Sequence, residues 1–81
     1  MTVLLFGVTK DIIGKNTLML SDIVKDKLKT VQDLKMYLTQ EYPNLENLSS
    51  LAIAVNNEYA DDSLLLKQTD EIALIPPVSG G

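Results

Sequence analysis

The chain has 81 residues, 46% hydrophobic and 22% charged, which suits one globular core and excludes both a second core and a disordered composition. It contains no cysteine and no histidine, so disulfides, thiolate or imidazole metal sites, and Ser–His or Cys–His mechanisms within the chain are ruled out. Its 7 basic residues are all lysine and face 11 acidic ones, for a net charge of -4; an acidic chain without arginine is a poor partner for nucleic acid or an anionic membrane.

The first segment, Thr2 to Val8, predicts a strand whose centre, Val3-Leu4-Leu5-Phe6, is continuously apolar, as a central strand buried on both faces would be. The same run is too short for a secretory signal and has no basic residue before it, and nothing approaches the ~20 apolar residues of a bilayer span. The expectation is a soluble, cytoplasmic protein. Thr9 to Ile13 fits a single helical turn stopped by Gly14, and Thr17-Leu18-Met19-Leu20 fits a second strand paired with the first.

Thr30 followed by Asp33 is a capping-box signature, and Val31, Leu34, Leu38 and Tyr42 recur at helical spacing until Pro43 ends the helix. Asn44 to Ser50 reads as a polar connection tethered by Leu45 and Leu48. Leu51-Ala52-Ile53-Ala54-Val55 alternates large and small apolar residues, as a strand with one thick and one thin face would. Asn56-Asn57 supplies a tight turn, because asparagine tolerates positive φ, and Tyr59 begins a short return strand. Leu64 to Leu66 is a short apolar patch. Glu71 to Ile75 is the last strand, ended by Pro76-Pro77, which remove two ladder donors.

The order is thus β, β, α, β, a short β, and β. The two most uniformly apolar strands lie at the two ends of the chain. Both favour central positions, which places them side by side and parallel with the helix in the crossover. This is an α+β, β-grasp (ubiquitin-like) arrangement: a mixed sheet, one main helix packed on one face, and a flexible C-terminal Gly-Gly tail. Residues 1–77 form the domain and residues 78–81 the tail.

Several stretches carry a resemblance: Asp70 through Ile75 followed by Pro76-Pro77-Val78-Ser79-Gly80-Gly81; Ala54-Val55-Asn56-Asn57-Glu58-Tyr59; Thr30-Val31-Gln32-Asp33-Leu34; and Leu5-Phe6 with Lys10-Asp11 and Gly14. Together they resemble the molybdopterin synthase small subunit, the MoaD family of ubiquitin-like sulfur carriers, over nearly the whole chain. The resemblance implies a non-catalytic sulfur-donating subunit. A ubiquitin-activating-like adenylyltransferase uses ATP to adenylate the Gly81 carboxylate, and sulfur then replaces the adenylate to leave a C-terminal thiocarboxylate. The tail Pro76, Pro77, Val78, Ser79 and Gly80 threads into a large synthase subunit, where sulfur passes to cyclic pyranopterin monophosphate in molybdenum cofactor biosynthesis. The implied assembly is two small and two large subunits, with no bound cofactor or metal. Family members often carry arginine where Lys10 stands, in a stretch that meets the activating enzyme; lysine keeps the charge and loses the planar fork. The same tail chemistry would serve a carrier for thiamine or thionucleoside synthesis, and a ubiquitin-like protein modifier is an alternative of a different class.

The tail chemistry suits the residues. A carboxylate needs a leaving group before it can accept sulfur, and AMP is one. Glycines without Cβ atoms fit a narrow channel. Prolines at the tail's base reduce the ordering cost of ~1–2 kcal/mol per residue. Asp61-Asp62 and Asp70-Glu71 read as solvated turns rather than acid–base pairs, Ser79 has no base to activate it, and Tyr37, Tyr42 and Tyr59 read as helix, core or rim residues. One helix covers only one sheet face. An exposed apolar patch is therefore expected on the other, with Phe6, Leu74 and Ile75 beside the tail as the partner interface; the alternative is that Ser21–Lys29 or Leu64–Leu66 cover it.

Overall fold

The computed structural model describes residues 1–47 and 51–76. Its elements are β1 (Thr2–Leu5), α1 (Val8–Ile13), β2 (Thr17–Met19), α2 (Asp22–Asp26), α3 (Val31–Glu41), a 3-10 turn (Pro43–Asn47), β3 (Ala52–Val55), β4 (Glu58–Tyr59) and β5 (Ile72–Ile75). The five strands form one sheet in the order β2-β1-β5-β3-β4. The terminal strands β1 and β5 are central and parallel, Val3 opposite Ile72 and Leu5 opposite Leu74, and every other pairing is antiparallel. This is the β-grasp topology expected from the apolar ends of the chain.

The main helix begins where its capping residues dictate. The Thr30 hydroxyl accepts the Asp33 N–H at 3.2 Å, and Asp33 Oδ2 accepts the N–H groups of Lys29 and Thr30 at 3.0 and 3.1 Å. Those two backbone donors, Lys29 first, hold the Asp33 carboxyl below its ordinary value of 3.8. Because the folded value is depressed, the stabilisation is complete above the ordinary value and is lost as pH falls through the folded one. Thr30→Ala should cost about 1 kcal/mol and lower the melting temperature by roughly 4–8 °C. Asp33→Asn should lower stability at neutral pH, and the gap from wild type should close as acid protonates the native carboxyl; a gap constant down to pH 2 would contradict this assignment.

Val31, Leu34 and Leu38 on α3 are fully buried and meet Val3, Leu5, Ile53, Val55, Ile72 and Leu74 of the sheet, with Leu20, Leu28, Leu45 and Leu66 closing the core. Leu48 lies outside the described residues. Asn56 and Asn57 both take positive φ, 53° and 71°, at the turn between β3 and β4. Two elements carry no pattern in the sequence, α2 and the 3-10 turn. Each has five residues, too few for a 3.6-residue period to show. Only Ser21, whose hydroxyl accepts the Val24 N–H at 3.3 Å, marks the start of α2.

The structure corrects one expectation about burial. β1 and β5 are not buried on both faces: Val3, Leu5, Ile72 and Leu74 are buried, while Thr2, Leu4, Ala73 and Ile75 alternate with them and remain partly exposed. A continuous apolar run here records two different apolar surfaces, a core and an open face. Leu74 therefore does not belong to the exposed patch. It is 0% exposed, because its register opposite Leu5 and Ile53 points it to the helix side. Leu28 and Leu66, from the two segments named as the alternative cover of the open face, are drawn into the core instead.

Candidate functional site

The strand register lays one continuous row across the open face. Thr17 on β2 opposes Leu4 on β1, Leu4 opposes Ala73 on β5, Ala73 opposes Ala54 on β3, and Ala54 opposes Tyr59 on β4. Two alanines at the centre of this row, between Leu4 and Tyr59, leave a trough, since alanine reaches no further than its Cβ. The result is a groove of about 290 Å³ whose floor is Ala54 and Ala73, bordered by Phe6, Ile75, Tyr59, Asn57 and Glu71. Phe6 is 48% exposed and Tyr59 75%. A second hollow continues along the same face past Leu4 to Met1 and Thr2 and is bounded by Gln68 through Glu71. Met19, opposite Thr2 on the edge strand and 71% exposed, extends the apolar surface.

The border of the groove is built by side-chain hydrogen bonds. Asn56 Oδ1 accepts the Glu71 N–H, and its Nδ2 donates to Asp70 Oδ1, each at 3.0 Å. The other Asp70 oxygen accepts the Lys67 N–H at 2.8 Å. Both Asp70 oxygens are thus engaged in holding the turn. Asp62 makes an exposed ion pair with Lys35 at 2.7 Å, which accounts for one of the adjacent Asp61-Asp62 carboxylates. Tyr37 is packed partly into the core, and burial, with the Glu41 charge second, pushes its phenol up; Tyr59 alone of the three tyrosines stands on the open face. Among the described residues no group of three or more potential metal ligands comes together.

The expected site residues fall into three groups. Phe6 and Ile75 lie at one end of the groove, and Pro76 directly follows Ile75. Lys10 is exposed on α1, one helical turn beyond Gly7, whose carbonyl accepts the Lys10 N–H at 3.1 Å. Pro77, Val78, Ser79, Gly80 and Gly81 lie outside the described residues. Sequence reasoning missed the floor, Ala54 and Ala73, and the far wall, Tyr59. The large–small alternation of β3 signalled a thin face there, but not that Ala73 would sit beside it.

Comparison with known proteins gives the family and the fold. A protein of Dictyostelium discoideum named molybdopterin synthase sulfur carrier subunit is 38% identical over 98% of this chain and 93% of its own length. Its namesake from Arabidopsis thaliana is 36% identical over 98% of this chain and 80% of its own. Among solved structures, the small archaeal modifier protein 1 of Methanosarcina acetivorans superposes with a TM-score of 0.76 at 29% identity, over 99% of this chain and 94% of that one. A complex of subunits 1 and 2 of the molybdopterin-converting factor of Helicobacter pylori contains a chain that superposes with a TM-score of 0.64 at 28% identity, over 99% and 96%. The model of the ThiS family matches residues 3–81, and the chain belongs to that family.

Proposed function

We propose that this protein is the sulfur carrier subunit of a molybdopterin synthase. The observation that carries the reading is the match, over 98% of the chain, to relatives bearing that name. The open apolar groove supports it, because an uncovered apolar face on a small domain is the expected form of a partner interface. In this reading residues 1–77 are the docking body and residues 78–81 the chemical tail. The groove end at Phe6 and Ile75 seats the large subunit, so that the tail leaving Pro76 enters the partner beside the contact. Gly81 is adenylated by an ATP-using adenylyltransferase, receives sulfur as a thiocarboxylate, and donates it to cyclic pyranopterin monophosphate; Lys10 faces the activating enzyme. The carrier binds no cofactor of its own, works in the cytoplasm, and assembles as two small and two large subunits. No helix among the described residues is long and apolar enough to cross a membrane.

The decisive test is intact-mass analysis of the chain after co-expression with its adenylyltransferase. The expected result is exchange of one oxygen for sulfur, mapped to Gly81, together with copurification of the large subunit. An unmodified chain would overturn the reading. The likeness to an archaeal modifier protein supports a second reading, covalent attachment to lysines of other proteins. Adducts that survive denaturation and reducing agent would establish that one, because an isopeptide bond resists both and a thiocarboxylate linkage does not.

A further inference from the structure

We propose that Gly7 is a positioning residue for sulfur transfer: its bare Cα is the seat on which Pro76 packs, and that seat sets the direction in which the tail leaves the domain. The proposal rests on the carrier reading above and adds a residue that the tail motif does not contain.

Gly7 is held from both sides. Thr9, fully buried, has its hydroxyl donating to the Phe6 carbonyl and accepting the Phe6 N–H, and its own N–H also donates to that carbonyl. The Lys10 N–H donates to the Gly7 carbonyl. Between these clamps Gly7 takes φ 55° and ψ -135°, a conformation that only glycine adopts without strain. A Cβ there would stand 3.0 Å from Pro76 Cγ, inside ordinary van der Waals separation. Pro76 is constrained in turn, since it follows directly on β5, where Ile75 is in register with Ala52, and its ring fixes φ.

The tail therefore has a base fixed at two points. The five residues beyond Pro76 can span up to ~17 Å, so the direction set at the base limits the region that Gly81 can reach. An alanine at position 7 leaves two outcomes: the ring moves away, or the start of α1 shifts to relieve its φ. Both remove the seat. A mislocation of ~1 Å at a reacting group can cost on the order of 100-fold in rate.

Gly14 provides the control. It closes the same helix, also at positive φ (82°), and among the described residues nothing lies within 4 Å of the Cβ it would carry. Gly14→Ala strains the backbone of α1 without meeting Pro76.

The experiment measures single-turnover sulfur transfer from the full thiocarboxylated chain to cyclic pyranopterin monophosphate, titrated with the large subunit, for wild type, Gly7→Ala, Pro76→Ala and Gly14→Ala. NOE spectra of each chain record the Gly7 Hα–Pro76 Hγ contact independently of activity. The contact is expected in wild type and Gly14→Ala only. Gly7→Ala should lower the saturating rate by about ten-fold or more with little change in the half-saturating concentration of large subunit, and Gly14→Ala should change neither appreciably. Pro76→Ala, which removes the ring with no strain at position 7, should slow the same step, and a wild-type rate in this variant overturns the proposal even if Gly7→Ala does not fold. Wild-type rates in folded Gly7→Ala or Pro76→Ala, or equal slowing in Gly14→Ala, would overturn the proposal alone. A wild-type chain that shows the NOE but takes up no sulfur would overturn the carrier reading, and the proposal with it.

Discussion

Deleting Gly81 should abolish sulfur transfer while leaving the fold and the affinity for the large subunit nearly unchanged. The core cluster runs from Val3 to Leu74 among the described residues, so the terminal glycine is not needed to hold the sheet and helix together. The groove that is proposed to dock the partner is built from residues between Phe6 and Ile75 and survives the deletion. The reacting carboxylate, however, moves to Gly80, about 3.3–3.6 Å short of its place. That is several times the misplacement already sufficient for a ~100-fold loss. Adding an alanine after Gly81 should fail equally, because the wrong carboxylate is then presented. Intact mass after co-expression reads the first half-reaction, a reconstituted molybdopterin assay the second, and titration of the large subunit the docking. Normal transfer by the shortened chain would end the carrier hypothesis.

Ile75→Asp should separate docking from folding in the opposite sense. Ile75 lies on the open face at the base of the tail, and an aspartate there meets water in the free chain. In the complex the same carboxylate would be stranded in an apolar contact, an outcome worth upwards of about 2 kcal/mol, or roughly 30-fold in affinity. Phe6→Asp should act similarly from just beyond the end of β1. The neighbour Leu74 gives the contrast: it is 0% exposed between Leu5 and Ile53, so Leu74→Asp should unfold the chain rather than merely weaken its partner contact. Circular dichroism and calorimetric titration with the large subunit distinguish the two. Undiminished binding by folded Ile75→Asp would move the interface off this face.

Much of this architecture was legible in the residues themselves. The capping box at Thr30 and Asp33, the 3.6-residue stripe through Val31, Leu34 and Leu38, and the stop at Pro43 are local signals, since helix caps and helix faces are set by residues three and four apart. The apolar strands at the two chain ends implied the parallel centre of the sheet, and the Pro-Pro-Val-Ser-Gly-Gly ending carried the family resemblance. Sidedness was not legible. In Ile72-Ala73-Leu74-Ile75 every residue is apolar, so no alternation tells which parity faces the helix, and a one-residue change of register would exchange Leu74 for Ala73 on the open face. Only the pairing of β5 with β1 and β3 decided that Leu74 belongs to the core, that Ala73 and Ala54 together hollow the groove, and that Tyr59 forms its wall. The contact of Gly7 with Pro76 is of the same kind: it joins the two ends of the chain, and no local pattern encodes it, because it exists only once the parallel strands have set those ends side by side.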